Sequence, residues 1–271
     1  MAIVLTGCGS SESSSGGGAA ASGAPADSKK AGDLNICADL GYPPMTFMKD
    51  NNPAGFDVDL ANALAAKMGV QAKFQQTGFP NIIAALQSGK CDAIMNGMNG
   101  TPARGEQIAM IPYLEDGHGF AVAKDNPKNI TGLDDLTGKR VATQLGSSNQ
   151  EFLEEQSKSM VDQGKEPIEI VSFPQDTAAF AALGTGKVDA FFQDLVVLGY
   201  YGLTHPDKIS IANVSANKQT VVIGTRKNDT DLIDSLTKSL DELYQDGTVS
   251  QIAKTWGIPD INLLKSPDTA G

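Results

Sequence analysis

The sequence lacks several features that would place it in common functional classes. No uninterrupted apolar run reaches the roughly 20 residues that a membrane-spanning helix needs. Basic residues are in deficit, with 21 Lys and Arg against 32 Asp and Glu, which gives a formal net charge of −11. That balance opposes nucleic-acid binding and provides no basic face for an anionic membrane. The hydrophobic fraction of 41% over 271 residues is typical of a globular protein and is sufficient for two domains.

Cysteine and histidine are also scarce. The cysteines Cys8, Cys37 and Cys91 match no zinc or iron–sulfur spacing, and His118 and His205 fall outside the predicted strand ends. We therefore expect no metal and no cofactor. Cys37 and Cys91 both fall on predicted strands, where an oxidising exterior would permit a disulfide. Two buried thiols are the favoured interpretation.

Motifs of common enzyme classes are absent as well. The run Gly184-Thr185-Gly186-Lys187 has neither the spacing nor the following Ser or Thr of a phosphate-binding P-loop. The chain contains no Gly-x-Ser-x-Gly and no His-Glu-x-x-His. No catalytic residue is predicted, and the expected activity is binding rather than catalysis.

The N-terminal segment indicates export from the cytoplasm as a lipoprotein. Leu5-Thr6-Gly7-Cys8 resembles the lipobox of bacterial lipoproteins, in which the Cys is lipidated and becomes the mature N-terminus. Only Met1 to Val4 precede it, too few for a complete signal region, and Gly9 to Ala26 has the Ser, Gly and Ala composition of a flexible tether. Residues 1–32 are therefore expected to be a truncated signal and lipobox followed by a tether. The alternative is a disordered tail with an incidental Cys8.

One sequence pattern occurs twice. Residues 84–94 and 181–191 share Ala, Ala, Leu, Gly, Lys, Asp and Ala at matching positions. Each copy predicts a helix that ends at a left-handed Gly and is followed by a buried strand. In register, Asn96-Gly97 then corresponds to Gln193-Asp194, just past the carboxyl ends of two strands, where open α/β sheets bind ligands. A single copy would be a helix-to-strand connection common to α/β proteins, but two copies predict two similar lobes that face one ligand.

Three helix starts carry polar side chains. Asp57 is expected to cap the helix that follows it. Thr101 is a predicted N-cap with Pro102 at the first helical position, which puts Arg104 in the first turn beside free backbone N–H groups. The turn Gly146-Ser147-Ser148 opens another helix with amide and hydroxyl donors suited to an anion. Plain capping would explain one of the two serines.

The chain from about Leu34 to Trp256 resembles the solute-binding proteins of bacterial ABC importers, in the polar-amino-acid-binding group (family 3). The resemblance rests on a series of short segments in family order: Tyr42-Pro43-Pro44, Gly55 to Leu60, Leu86 to Ile94, Thr101 to Arg104, Leu136 to Val141, Gly186 to Ala190 and Asp246-Gly247-Thr248. It implies an α/β clamshell of the periplasmic-binding-protein type, with two parallel-type sheets joined by a two-strand hinge. The lobes would be residues 33–122 with 222–265, and 123–221, with crossings near 119–124 and 219–224.

The resemblance also implies a ligand site. Arg104 matches the residue that holds the ligand α-carboxylate, and Asp194 matches the carboxylate that binds the α-ammonium. Gly97 would offer its carbonyl to the ammonium, and Asn99 its backbone N–H, and its side chain as well, to the carboxylate. The family usually has Thr or Ser in place of Asn99, and a β-branched or apolar residue in place of Gly100.

Further contacts follow from the same resemblance. Ser148, with Ser147 beside it, would close on the carboxylate from the second lobe. Tyr42 and Phe79 match aromatic positions that sandwich the ligand side chain, although ordinary core packing explains Phe79 equally well. Asp39 matches a position that can contact a basic ligand side chain, and turn capping is an equal alternative.

The implied function is capture of a polar or charged L-amino acid and its delivery to a membrane permease. The protein would be a monomer, anchored by lipid to the outer face of the bacterial cell membrane, with no nucleic-acid partner. One alternative is an enzyme on the same scaffold, similar to cyclohexadienyl or arogenate dehydratases. Another is an amino-acid sensor that signals to a partner.

Overall fold

The fold is taken from a computed structural model that describes residues 32–213, 218–259 and 262–264. The predicted lipidation site, Cys8, lies outside these residues. Within them, no helix combines the length and the apolar character that crossing a membrane requires.

Strands and helices alternate through most of the chain. The strands are β1 (Asp33–Ala38), β2 (Gly41–Tyr42), β3 (Thr46–Lys49), β4 (Asn52–Ala54), β5 (Gln71–Gln76), β6 (Ala93–Ile94), β7 (Ala109–Asp116), β8 (His118–Ala123), β9 (Arg140–Gln144), β10 (Glu169–Phe173), β11 (Ala190–Asp194), β12 (Ile209–Asn213) and β13 (Gln219–Thr225). The helices are α1 (Phe56–Lys67), α2 (Ile82–Gln87), α3 (Pro102–Gln107), α4 (Ser148–Asp162), α5 (Asp176–Gly184), α6 (Leu195–Thr204), α7 (Thr230–Gln245) and α8 (Thr248–Thr255). Single 3-10 turns occupy Phe79–Asn81 and Leu133–Leu136.

Two five-stranded sheets form the centres of two lobes. Their strand orders are β5-β1-β6-β13-β7 and β10-β9-β11-β8-β12, and β2, β3 and β4 form a small separate sheet. The α/β class is confirmed, but the large sheets are mixed rather than purely parallel. β13 runs antiparallel to β6 and β7, and β8 runs antiparallel to β11 and β12. The reason is topological, because the chain leaves the first sheet along β7 and must return to it along β13.

The pairing of the strands locates the two passages between the lobes. β7 ends at Asp116 in the first sheet, and β8 begins at His118 in the second, so Gly117 alone separates them. The return passage lies between β12 and β13. All of β8 therefore belongs to the second sheet, and all of β13 belongs to the first. The predicted divisions after residues 122 and 221 are both too late in the sequence, because the passages come before β8 and before β13. Apolar runs such as β8 fit either sheet, so the sequence could not assign them.

The two copies of the repeat occupy equivalent positions. Gly89 and Gly186 adopt left-handed φ values of 76° and 69°, and each terminates a helix as predicted. The strands that follow, β6 and β11, are the central strands of their sheets. The residues after these strands therefore lie at the middle of each sheet edge.

Cys37 and Cys91 form a disulfide, with their Cα atoms 5.6 Å apart. The expectation of two thiols is therefore wrong. β1 and β6 are adjacent parallel strands, with Cys37 opposite Ile94, and Cys91 lies just before β6. The bond connects two strands whose carboxyl ends lead to Asp39 and Gly97.

Candidate functional site

A cavity lies between the carboxyl-end edges of the two large sheets. It is lined by residues of both lobes: Tyr42, Phe79, Asn96, Gly97, Asn99, Arg104, Gln144, Ser147, Ser148, Asn149, Gln193 and Asp194. Every predicted ligand contact except Asp39 is on this surface. The free volume is only about 10 Å³, so side chains of the two lobes meet directly across the space.

Arg104 is held in this cavity by α3. Thr101 caps the helix as predicted, with its Oγ1 accepting from the Arg104 backbone N–H at 3.3 Å. Arg104 as a whole is 6% exposed. Its Nη1 donates to the Asn99 carbonyl at 2.6 Å, and its Nη2 donates across the cleft to the Gly146 carbonyl at 3.1 Å. The Phe79 ring lies 5.3 Å from the guanidinium carbon, within range of a cation–π contact.

The charge of Arg104 lacks a direct counter-ion. Within the described residues, no carboxylate lies within the 4.0 Å ion-pair distance of its guanidinium. Burial lowers the pKa of Arg104, and the more distant charges of Glu151 and Asp194 oppose that effect only in part. A buried cation with carbonyl partners alone is costly. The position therefore favours an additional anion.

Asp194 faces the same cavity from the second lobe, at the end of β11. Its Oδ2 accepts from the Tyr42 hydroxyl at 2.6 Å, and its Oδ1 accepts from the Asn99 side-chain amide at 3.0 Å. Asn149 adds a third donor at 3.1 Å. Burial, and then the Asp194 charge, raise the pKa of Tyr42 well above its ordinary value, so the hydroxyl remains a donor. Tyr42 and Asn99 belong to the first lobe, and these bonds tie the lobes together.

The position of Gly97 has no room for a side chain. Its φ is 57°, and a Cβ would lie 2.8 Å from the Tyr42 ring and 2.9 Å from Met45. Its N–H donates to the buried carboxylate of Asp57 at 2.6 Å. Asp57 is thus not the helix cap that the sequence predicts, because α1 begins after Gly55 and the Asp57 side chain turns inward. Burial raises the pKa of Asp57 to about 7.

The two serines at the start of α4 have different roles. Ser147 caps the helix, with its Oγ accepting from the Gln150 N–H at 3.1 Å and donating to the Gln144 carbonyl at 2.7 Å. Ser148 faces the first lobe, where its Oγ accepts from the Asn99 amide at 3.1 Å. Ordinary capping therefore accounts for Ser147, and Ser148 is the serine that reaches across the cleft.

Comparison with known proteins identifies the family. The family model of the bacterial extracellular solute-binding proteins, family 3, matches residues 34–259. The chain belongs to this family.

Individual relatives agree with that assignment. This solute-binding protein is 31% identical to the arginine-binding extracellular protein ArtP of Bacillus subtilis (strain 168), over 94% of this chain and 93% of the relative. The solved structure of an ancestral arginine-binding protein bound to arginine superposes with a TM-score of 0.76 at 35% identity, covering 83% of this chain and 98% of the other. An ancestral amino acid-binding protein described as a precursor of cyclohexadienyl dehydratase gives a TM-score of 0.76 at 30% identity, covering 83% and 95%.

Asp39 lies just outside the cavity of this solute-binding protein. Its carboxylate accepts from Gln76 at 3.2 Å and, across the cleft, from the Gln144 side chain at 3.1 Å. Burial raises its pKa above the ordinary value, against the lowering effect of these hydrogen bonds. Gln144 lines the cavity, as does Asn96, whose side-chain oxygen accepts from the Asp39 backbone N–H, so Asp39 contacts the cavity through its lining residues.

Four lining residues are not among the predicted ligand contacts. The repeat placed Asn96 and Gln193 beside Gly97 and Asp194 at the strand ends, but no contact was predicted for them. Gln144 and Asn149 flank the Gly-Ser-Ser turn and carried no comparable signal.

His118 was expected to fall outside the predicted strand ends, and it lies at the start of β8. Its Nδ1 is nevertheless 3.9 Å from the Asp194 carboxylate. It lies behind Asp194 and does not line the cavity.

Proposed function

We propose that this protein captures a polar or charged L-amino acid between its lobes and delivers it to the membrane permease of an ABC importer. The observation that carries the proposal is the Arg104 guanidinium, which is buried without a carboxylate partner among the described residues, on a cavity that Asp194 faces from the other lobe. An amino acid zwitterion has one group for each of these charges.

The α-carboxylate is proposed to bind Arg104. Its two oxygens match the planar guanidinium fork bidentately, and they are stronger acceptors than the carbonyls of Asn99 and Gly146 that Arg104 now contacts. Ser148 would add a hydroxyl donor from the second lobe, and Asn99 a donor from the first. Ser147 would contribute only through the helix end that it caps.

The α-ammonium is proposed to bind Asp194 and the Gly97 carbonyl, with Tyr42 and Phe79 flanking the ligand side chain. An amino acid is much larger than the free volume of about 10 Å³. Binding therefore requires the lobes to separate and close again, which is the hinge motion open to a protein with two interlobe passages. Flexing near Gly117 would provide it.

The side-chain preference is proposed to be cationic. Asp39 and Gln144 lie at the edge of the cavity, where the carboxylate of Asp39 could receive a guanidinium or ammonium if Gln144 moves aside. The similarity to arginine-binding proteins supports a preference for a cationic ligand side chain. Cys8 is proposed to carry the lipid that anchors a monomer to the outer face of the cell membrane, with residues 9–26 as tether.

Thermal unfolding against a panel of L-amino acids tests the proposal. A ligand that binds only the folded state stabilises it by about 2.7 kcal/mol at about a hundredfold excess over Kd. We expect an increase in Tm with at least one polar or charged L-amino acid and none with its D-enantiomer. If no amino acid raises Tm, binding of a zwitterion is the wrong function.

Catalysis is the second candidate, because of the likeness to a precursor of cyclohexadienyl dehydratase. Such chemistry needs a positioned general acid in the cleft, and His118 is shielded from the cavity by Asn149. Incubation with prephenate and arogenate, followed by product detection, separates the two functions. Binding without turnover supports a non-enzymatic role, and turnover of either compound would replace it.

A further inference from the structure

His118 is connected to Asp194 by hydrogen bonds through Asn149, in addition to its packing against aromatic rings. In the antiparallel ladder of β8 and β11, His118 lies directly opposite Asp194. The imidazole is 2% exposed and stacks on Phe152 and Phe192, with ring centroids 5.0 Å and 5.5 Å away. Its Nδ1 lies 2.5 Å from the side-chain oxygen of Asn149.

The hydrogen bonds of Asn149 determine which atom of His118 carries the proton. The Asn149 amide nitrogen donates to the Gln193 side-chain oxygen at 2.6 Å and to Asp194 Oδ1 at 3.1 Å. Both acceptors need an N–H donor, so the Asn149 oxygen must face His118. An oxygen can only accept, and His118 Nδ1 must therefore be the donor. The other ring nitrogen, Nε2, is buried without a hydrogen-bond partner among the described residues, so within these residues the ring forms its hydrogen bond through Nδ1.

We propose that His118 is a positioning residue for ligand binding, acting through Asn149 on the carboxylate of Asp194. The chain of donors runs from His118 to Asn149 and from Asn149 to Asp194. It fixes the amide of Asn149 and thereby the orientation of Asp194, which lines the cavity. This inference rests on the proposed binding of the α-ammonium by Asp194.

The first experiment tests the relay without any ligand. The chain has two histidines, so ¹⁵N NMR of the imidazoles, assigned with His205→Phe, resolves His118 directly. We expect a proton on Nδ1, and a changed Asn149 side-chain signal in His118→Phe. A neutral ring with its proton on Nε2 alone overturns the proposal.

The second experiment measures the Kd for L-arginine by calorimetry. His118→Phe keeps the aromatic stack but leaves the Asn149 oxygen without its donor, and we expect affinity to fall by about tenfold. Asn149→Ala should cost a similar factor, and the double variant should bind no worse than Asn149→Ala alone. His118→Gln, which restores a donor, should recover most of the loss, and His205→Phe should bind as the wild type does.

The outcomes separate this proposal from the proposed function. If the wild type binds no amino acid, the proposed function fails and the NMR experiment still decides the tautomer. If L-arginine binds and His118→Phe matches the wild type, or the two losses simply add, His118 is a packing residue. Should His118→Phe fail to fold, the NMR experiment on the wild type still decides between the two roles, because a neutral ring with its proton on Nε2 would make His118 a packing residue.

Discussion

Replacement of Arg104 by Met should weaken amino acid binding strongly while leaving the ligand-free protein about as stable as before. Methionine retains an unbranched stem that reaches about as far as Nε, and it removes the charge and its donors. In the ligand-free protein, the guanidinium donates to two backbone carbonyls, of Asn99 and Gly146. On binding, it would exchange them for the two oxygens of a carboxylate.

The exchange pairs a buried cation with an anion, and that pairing sets the size of the loss in affinity. Truncating one partner of a buried, hydrogen-bonded charge pair at a binding site costs about 2–5 kcal/mol. Loss of the guanidinium should therefore weaken binding by about 3 kcal/mol, which corresponds to about a hundredfold in Kd. For the ligand-free protein, the lost carbonyl bonds oppose the relief of a desolvated charge, so we expect the free energy of unfolding to change by no more than about 1 kcal/mol.

Isothermal titration with the preferred amino acid measures the affinity, and urea denaturation measures the stability. Arg140→Met is the matched control, because Arg140 forms two hydrogen bonds to Asp189, at 3.1 Å and 2.9 Å, away from the cleft. It should retain wild-type affinity. Binding by Arg104→Met within about fivefold of the wild type would refute the assignment of the carboxylate to this residue, because the predicted loss is about a hundredfold.

Three further predictions concern stability and competition within the cleft. Burial and the nearby Asp194 charge raise the pKa of Asp116 from 3.8 to about 8, so the folded protein retains a proton that the unfolded chain releases in this range. The stability from this group is therefore full below about pH 4 and falls by at most about 1.4 kcal/mol per pH unit up to about pH 8. Asp116→Asn should flatten that slope in denaturation curves at several pH values; an unchanged slope contradicts the assignment. Asn99→Ser keeps the backbone N–H that is proposed to bind the carboxylate and removes a side-chain amide that competes with the ammonium for Asp194, so calorimetry should show an affinity gain of about fivefold; weaker binding would mean that the Asn99 side chain itself binds the ligand. Replacing Cys37 and Cys91 together by Ala opens a loop with a sequence separation of 54. The free energy of unfolding should fall by about 4 kcal/mol, and a change below about 1 kcal/mol would exclude the disulfide in solution.

The elements of this fold follow from local chemistry. Glycines after apolar helical runs ended α2 and α5, and Thr101 with Pro102 started α3, because these effects depend on neighbours within one turn. The repeat also indicated that the strands before Gly97 and Asp194 are equivalent, and both prove central in their sheets. Arg104 and Asp194 were predicted from family resemblance, and both line one cavity.

What the sequence could not supply depends on long-range contacts. The residues around Asp57 predict a helix cap, but its carboxylate accepts a hydrogen bond from the Gly97 backbone N–H, 40 residues away in the sequence. His118 approaches Asp194 only through the pairing of β8 with β11, which no local pattern specifies. The Cys37–Cys91 bond likewise depends on the adjacency of β1 and β6.

The most direct test of the proposed binding mode is a crystal structure of the protein with the amino acid that raises its Tm most. We predict that both carboxylate oxygens lie within about 3 Å of Arg104 guanidinium nitrogens, and that the ammonium lies within about 3 Å of Asp194. An amino acid bound outside the cleft, or held with its carboxylate away from Arg104, would contradict the account.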